Sequence, residues 1–192
     1  MRQSCLQTHA PMPDEPNNDK PILDALSRGD PIALVWIWNT YASRLLAFAA
    51  SLLCSHHDAE ETLQNVFIKI ARNRAQVAAA RSLKAYLFSM ARNEAMTLAR
   101  QRNRREIPVD PAQFGLLPAD PSAPPSPKEA ETAARHLAAL PEKQRQVVVL
   151  KIFENMTFDQ IAASLKISLN TAASRYRYGL EKLKRRMNGG TP

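Results

Sequence analysis

Between residues 31 and 55, apolar side chains recur at Val35, Trp38, Tyr41, Leu45, Phe48 and Leu52. A three-to-four spacing matches the turn of an α-helix and predicts one helix with a single buried stripe. The stretch 58–72 repeats the pattern with Leu63, Val66, Phe67 and Ile70. Asp58 reads as its N-cap, and Asp58 and Glu61 place negative charge where the helix dipole is positive. A third helix is predicted over 82–104, with Leu83, Leu87, Met90, Ala91 and Leu98 inward. It closes on the run Arg100-Gln-Arg-Asn-Arg-Arg105. The dipole favours cations there, so the run reads either as a solvated helix end or as a phosphate-contacting surface.

The C-terminal pattern is more specific. Pro141 suits the first turn of a helix, where its missing N–H costs nothing, and the helix continues through Arg145 to Phe153. Thr157-Phe-Asp-Gln160 then has the spacing of a capping box, with Met156 and Ile161 placed as its hydrophobic staple. A short helix over 158–165 sets Ile161, Ala162 and Leu165 on one face, and Ser168 is placed to cap a last helix. In that last helix Leu169, Ala172, Tyr176, Leu180 and Leu183 are expected inward. Two helices joined by a tight turn, with small Ala162 at the crossing, predict a helix-turn-helix. The turn Leu165-Lys166-Ile167 has no Gly for the left-handed position, a cost of roughly 1 kcal/mol. Outward stand Asn170, Thr171, Ala173, Ser174, Arg175, Arg177 and Tyr178, the polar and basic groups that major-groove reading requires. The same spacing also fits an ordinary helical hairpin. The basic stretch Lys182-Leu-Lys-Arg-Arg186 favours nucleic acid.

Composition divides the chain. Of 14 Pro in 192 residues, four lie within the first 21 and seven between Pro108 and Pro127. Proline breaks helices, so the expected organisation is a disordered tail over 1–19, a helical domain over 20–105 and a linker over 106–127. A second helical domain follows over 128–187, then a short tail over 188–192. The fold class is therefore all-α: two small helical domains on a flexible Pro-rich linker. Residues 20–107 carry 13 Lys/Arg against 7 Asp/Glu, and residues 128–192 carry 12 against 6, so each block is +6 within a chain of net charge +8. This points to a polyanionic partner, nucleic acid or an anionic membrane surface. Only 5 Gly argues against Gly-rich phosphate loops. Two Cys cannot form a disulfide framework, which fits a reducing cytoplasm. No uninterrupted apolar run reaches membrane-spanning length and the N-terminus has no apolar signal region, so neither membrane insertion nor export is expected.

Two stretches resemble a known family. Leu140-Pro-Glu-Lys-Gln-Arg-Gln-Val-Val-Val-Leu150, Phe158-Asp-Gln-Ile-Ala-Ala-Ser-Leu-Lys-Ile-Ser168 and Asn170-Thr-Ala-Ala-Ser-Arg175 are similar to region four of bacterial sigma factors. Asp58-Ala-Glu-Glu-Thr-Leu-Gln-Asn-Val-Phe67 resembles the region-two helix that grips core RNA polymerase. Tyr86-Leu-Phe-Ser-Met-Ala-Arg-Asn93 through Arg100 resembles the segment that melts and reads the minus-ten element. Two such regions with only a linker between them resemble the extracytoplasmic-function (ECF) sigma factors. The resemblance implies a transcription initiation factor with core RNA polymerase, promoter DNA and an anti-sigma factor as partners.

By resemblance, Ser174, Arg175 and Tyr178 read minus-thirty-five bases, with Asn170 and Thr171 beside them and Arg177 and Lys182 on phosphates. Tyr86 and Asn93 hold a single-stranded minus-ten base in a pocket closed by the loop 74–82, and Arg100, Arg104 and Arg105 lie along DNA. A ring that stacks and an amide that pairs suit an unstacked base, although Tyr86 also neighbours the apolar stripe at Leu83, Leu87 and Met90, which leaves a core aromatic as the alternative. Asp58, Glu61, Gln64, Asn65 and Lys69 fall on the polymerase side. The chain departs from the family pattern at several positions. Asn65 stands where an acid is usual, Ala71 and Tyr86 where Trp is frequent, Thr97 where Asp is frequent, and Ala173 where a basic residue is common.

Other constellations are weak. Cys54, His56, His57 and Asp58 are close in sequence but match no standard zinc spacing, so no metal site is expected. No catalytic set is recognisable, no cofactor is expected, and the chain does not read as an enzyme. Trp36 and Trp38 read as core or interface anchors. The competing functions are an autonomous helix-turn-helix regulator on duplex operator DNA and a helical membrane-surface binder. The segment 58–105 counts against the first and the placement of the basic residues at helix ends against the second.

Overall fold

The computed structural model describes residues 19–104 and 127–187. These form helices α1 Lys20–Ser27, α2 Pro31–Leu53, α3 His56–Arg72, α4 Arg74–Ala78, α5 Leu83–Arg104, α6 Pro127–Ala138, α7 Glu142–Ile152, α8 Phe158–Leu165 and α9 Leu169–Met187, with no strand among the described residues. The expected N-terminal tail up to residue 18, the linker up to residue 126, Arg105 and the tail from residue 188 lie outside the described residues.

Helix α2 is the axis of the first unit. The Asp30 carboxylate caps it by accepting from the Ile32 N–H at 2.9 Å, and Pro31 follows in the first turn. Its buried stripe is Ala33, Ile37, Tyr41, Leu45, Phe48 and Leu52. This corrects the expectation for Val35 and Trp38, which are exposed. Stepping back from Tyr41 by four residues leads to Ile37 and Ala33, and small Ala33 lets a neighbour approach while Val35 and Trp38 rotate outward. By length and hydropathy α2 could cross a membrane, but half of that window is buried inside the protein against α3 and α5.

Helix α3 starts earlier than expected. Ser55, not Asp58, is its N-cap, accepting from the Asp58 N–H at 3.3 Å. Asp58 falls in the first turn, where its charge still meets the dipole. Leu63, Val66 and Ile70 are buried and Phe67 lies at the edge. Residues 74–78, expected in a loop, form α4. Val77 anchors it in the core, and Arg74 Nη1 donates to the Gly29 carbonyl at 2.9 Å, tying it to the corner between α1 and α2. Helix α5 buries Leu83, Leu87, Phe88, Ala91 and Ala95, while Met90 and Leu98 are only half-buried. Asp19 accepts from the Leu83 N–H at 2.7 Å. At the centre the Phe48 and Phe88 rings meet edge to face at 5.3 Å, a favoured aromatic geometry.

In the second unit Pro141 is the N-cap of α7, one position before its first turn. The capping box at α8 is complete: Thr157 Oγ1 accepts from the Gln160 N–H at 3.2 Å, and Gln160 Oε1 accepts from the Thr157 N–H at 2.9 Å. Met156 and Ile161 on either side are fully buried. Lys166 takes the left-handed turn position with φ 53°, as the missing glycine requires.

The two units pack on each other, α8 against α5 and α7 against α2, and share one hydrophobic cluster running from Ile22 to Ala172. Polar contacts key the junction. Ser164 Oγ donates to the Ala85 carbonyl at 2.8 Å, Lys84 Nζ to the Glu154 carbonyl at 2.8 Å, and Arg92 Nε to Gln146 Oε1 at 3.1 Å. Arg44 forms an ion pair with Glu154.

Candidate nucleic-acid interface

The start of α9 is set by Ser168, whose Oγ accepts from the Thr171 N–H at 3.1 Å and hydrogen-bonds Thr171 Oγ1 at 2.8 Å. Ser174 Oγ donates back to the Thr171 carbonyl at 3.1 Å. Ala172 and Gly179 are the buried anchors of this helix. Leu169 and Leu180, expected inward, are exposed, because the Ala172–Gly179 line turns both of them to the flank. Two lines of side chains remain. Asn170, Ser174 and Arg177 form one; Thr171, Arg175, Tyr178 and Lys182 form the next. Asn170, Arg177, Tyr178 and Lys182 are exposed, whereas Thr171, Ser174 and Arg175 are half-buried. The Arg177 guanidinium lies over the Tyr178 ring, 5.1 Å from its centroid.

On α5, Tyr86, Asn93 and Arg100 are spaced by seven, which stacks them on one face two turns apart. Asn93 and Arg100 are exposed, and Tyr86 is half-buried against the core. Half-burial leaves Tyr86 packed on the core while still in reach of solvent. The basic run is divided. Arg102 is ion-paired with Asp58, while Arg100 points to solvent. The backbone of Arg104 ends α5; its side chain, like Arg105, lies outside the described residues.

The α3 residues separate in the same way. Glu61 and Gln64 are exposed on the outer face, together with Ile68. Asp58 and Lys69 turn to α5, pairing with Arg102 and Glu94, and Asn65 is half-buried on that flank. Trp38, read as an anchor, is the surface residue the sequence pattern placed least well. It is 48% exposed, and its ring meets Phe67 edge to face at 4.7 Å. An indole exposed on α2 beside the outer face of α3 fits a protein-contacting anchor. The shift of the α2 stripe to Ile37 was the signal that would have found it.

The residues weighed for a metal are spread among other roles. Cys54 is the left-handed C-cap of α2, His56 pairs with Glu60 at 3.3 Å, and Asp58 is held by Arg102. Burial pushes the Cys54 thiol up from its ordinary value, against the opposing field of Arg145. Among the described residues no group of three or more His, Cys, Asp or Glu could hold a metal ion.

The family description Sigma-70 region 2 matches residues 37–105 and Sigma-70, region 4 matches residues 136–185, between them more than half of the chain. The ECF RNA polymerase sigma factor SigE of Mycolicibacterium smegmatis is 28% identical over 151 residues, 75% of this chain and 57% of that protein. SigK of Mycobacterium tuberculosis is 27% identical over 176 residues, 84% of this chain and 91% of that protein. SigW of Bacillus subtilis is 25% identical over 177 residues, 84% and 92%. The chain thus spans little more than half of the first relative and nearly all of the other two. Two solved structures share the fold. CnrH, in complex with the cytosolic domain of CnrY, superposes with a TM-score of 0.68 at 20% identity, covering 90% of this chain and 99% of that one. The sigma factor RpoE of Bartonella quintana, in complex with the anti-sigma factor NepR, gives 0.64 at 23% identity, covering 80% and 96%. With region two and region four both matched, in order and on the helices that carry the exposed basic faces, the chain belongs to the extracytoplasmic-function family of RNA polymerase sigma factors, which initiate transcription.

Proposed function

We propose that this chain binds core RNA polymerase and directs it to promoters by presenting two DNA-reading helices, α5 and α9. The observation that carries the reading is the presence in one chain of two separate outward faces with nucleic-acid chemistry. One is the Tyr86–Asn93–Arg100 face of α5; the other is the capped first turns of α9 in a helix-turn-helix. In this reading Ser174, Arg175 and Tyr178 contact base edges of the minus-thirty-five element, with Asn170 and Thr171 alongside. Arg177 and Lys182 hold phosphates and fix register. Tyr86 stacks on an unpaired minus-ten base and Asn93 pairs with its edge, while Arg100, Arg104 and Arg105 follow the backbone. The protein works by binding alone, with no reaction and no cofactor of its own, in the cytoplasm where core polymerase acts.

The polymerase-docking face is Glu61, Gln64 and Asn65 of α3, continued by the exposed Ile68 and Trp38. Asp58 and Lys69 support it from behind through their pairs with α5. The functional division is region two over 20–105 and region four over 128–187 on the intervening linker, and an anti-sigma factor is a further partner. Run-off transcription with purified core polymerase, with and without the chain, tests the assignment. Transcript should appear only with the chain. Tight binding to duplex operator without polymerase, and no transcript with it, would replace this reading by the autonomous regulator. Trp38→Ala should weaken co-migration with core polymerase at least tenfold while lowering Tm by only a few degrees, since the fold loses one edge-to-face contact with Phe67 worth about 0.5–1.5 kcal/mol.

A further inference from the structure

The first turn of α9 carries one side chain that neither the fold nor the helix start explains. Leu169 is the first residue of α9 and is 46% exposed. First helical positions favour proline and acids, which suit the free N–H groups and the positive end of the dipole, and leucine does neither. The apolar closure of the turn is made without it. Ile167 and Tyr176 pack against the core, and the Phe158 and Tyr176 rings meet edge to face at 5.6 Å. An apolar side chain left in water forgoes the stabilisation of burial, so the reason for this leucine lies outside the folded chain. The hydroxyls around it are engaged within the helix. Ser168 Oγ and Thr171 Oγ1 share a hydrogen bond of 2.8 Å, and Ser174 Oγ donates to the Thr171 carbonyl at 3.1 Å. One turn on from Leu169 and on the same side stands half-buried Ala173. Together they form a short apolar strip beside the line of Asn170, Ser174 and Arg177.

We propose that Leu169, with Ala173 beside it, seats the C5-methyl group of a thymine in the minus-thirty-five element and so determines one base of the sequence that α9 reads. This rests on the reading of α9 as the minus-thirty-five helix. A recognition helix enters the major groove with its N-terminal residues at the base edges. The thymine methyl is the one methyl group that a base pair presents there, so an apolar side chain on that turn has a single complementary target. Contact removes the leucine and the methyl from water together, which gives the exposed side chain the burial that the fold withholds. Ala173 adds neither charge nor length on that side of the helix, which lets the helix lie close to the base edges. Asn170, the exposed polar neighbour of Leu169, carries an amide for the donors and acceptors of an adjacent pair. The first turn thus reads a methyl and a hydrogen-bonding edge side by side.

Deoxyuridine tests the contact, since it lacks the methyl and keeps the pairing and hydrogen-bonding edge of thymine. A promoter is selected with the full chain and core polymerase from a library randomised over the minus-thirty-five element. Each thymine on either strand is then replaced singly by deoxyuridine, and binding by the full chain with core polymerase is measured. Wild type should lose about three- to fivefold at one or two adjacent thymines, the scale of one buried methyl, and nothing at the others. Leu169→Ala should bind the intact promoter more weakly by a similar factor and be indifferent to the same replacements. Leu169→Met, equally apolar, should keep the dependence on the methyl, whereas Leu169→Asn, of similar size but polar, should lose it. A selected element without thymine, a wild type indifferent to deoxyuridine at every position, or a deoxyuridine cost that persists in Leu169→Ala or Leu169→Asn each overturns the proposal. So does a Leu169→Ala chain that binds core polymerase more weakly in the absence of DNA, which would assign the residue to a protein contact. If the chain with core polymerase selects no promoter, the sigma-factor reading fails, and the same replacements in duplex sites selected by the chain alone decide the methyl contact.

Discussion

Gly179 of α9 faces Val148 of α7 so closely that a Cβ placed on the glycine would stand 2.7 Å from Val148 Cγ2. Two effects oppose each other at this crossing. Alanine in a helix interior is favoured over glycine by about 1 kcal/mol. Overpacking a filled site costs about 1–3 kcal/mol, and Val148, β-branched within a helix, has little freedom to turn away. Overpacking wins. Gly179→Ala should lower Tm by about 3 °C in the wild type, and should cost less when added to Val148→Ala, whose own cavity cost is measured in the single variant. Thermal unfolding of these variants measures the difference; a more stable Gly179→Ala would mean that α9 slides along α7 at no cost.

The helix-turn-helix turn gives a second stability prediction. Lys166 occupies the left-handed region at φ 53°, which costs a non-glycine residue roughly 1 kcal/mol. Lys166→Gly relieves that strain but adds about 0.4–1 kcal/mol of unfolded-state entropy. The net gain should be at most about 0.6 kcal/mol, or about 2 °C in Tm. Thr157→Ala removes one half of the capping box and should cost about 1 kcal/mol with nothing to offset it. Urea titrations of the two variants should therefore shift in opposite directions, the Thr157→Ala shift being the larger.

Local chemistry was legible in the sequence because its cause is local. Thr157 and Gln160 are three residues apart, so their reciprocal bonds follow from spacing. Ser168 and Lys166 were placed by the same reasoning. The outward placement of Asn170, Arg177 and Tyr178 follows from the helix period. Positions decided by a distant partner were not legible. Gly179 is buried because α7 crosses there, and that crossing turns Leu180 out. Asp58 lost the N-cap to Ser55, since either residue can accept from a first-turn N–H, yet its pair with Arg102 lies 44 residues away. Glu154, Arg44 and Lys84 carry no motif at all, and only the docking of the two regions brings them together.

Packing of the two helical units on each other should depend on pH through Glu154, which is buried between them. Burial is the largest influence on its carboxyl and raises its pKa, while Arg44 and then Lys84 pull it down by less. Tyr41, raised to about 12 chiefly by burial, Asp19 and Arg92 are further charged and titratable groups at this junction. Lys84 is lowered, chiefly by burial and next by Arg44. Packed at this junction, Glu154 thus holds its proton more tightly than a solvent-exposed carboxyl does. This contribution to packing is complete below the ordinary carboxyl value and disappears as pH rises through the raised one. Wild type should therefore become more compact, relative to Glu154→Gln, as pH falls from 7 toward 4.5. Small-angle scattering across that range on both proteins checks it; parallel profiles would show that Glu154 is equally solvated whether or not the units are packed.

In the proposed reading, recognition of the minus-thirty-five element turns on Arg175. It shares a line on α9 with Thr171, Tyr178 and Lys182, but it is half-buried while Lys182 is exposed. An arginine on the second turn of α9 carries the planar fork that suits bidentate contact with guanine, worth about 1–3 kcal/mol of discrimination. An exposed lysine two turns later is a point charge better matched to phosphate. Arg177, stacked over the Tyr178 ring, is assigned the same backbone role in that reading. Arg175→Ala should therefore relax base preference at one or two positions while leaving the salt dependence of binding nearly unchanged. Lys182→Ala should weaken binding to all promoters evenly and lower the salt slope by about one unit. Run-off transcription over a randomised minus-thirty-five library, repeated at two salt concentrations, separates them. A uniform loss across the library with Arg175→Ala would move that residue to the phosphate backbone and leave Ser174 and Tyr178 as the side chains that read bases.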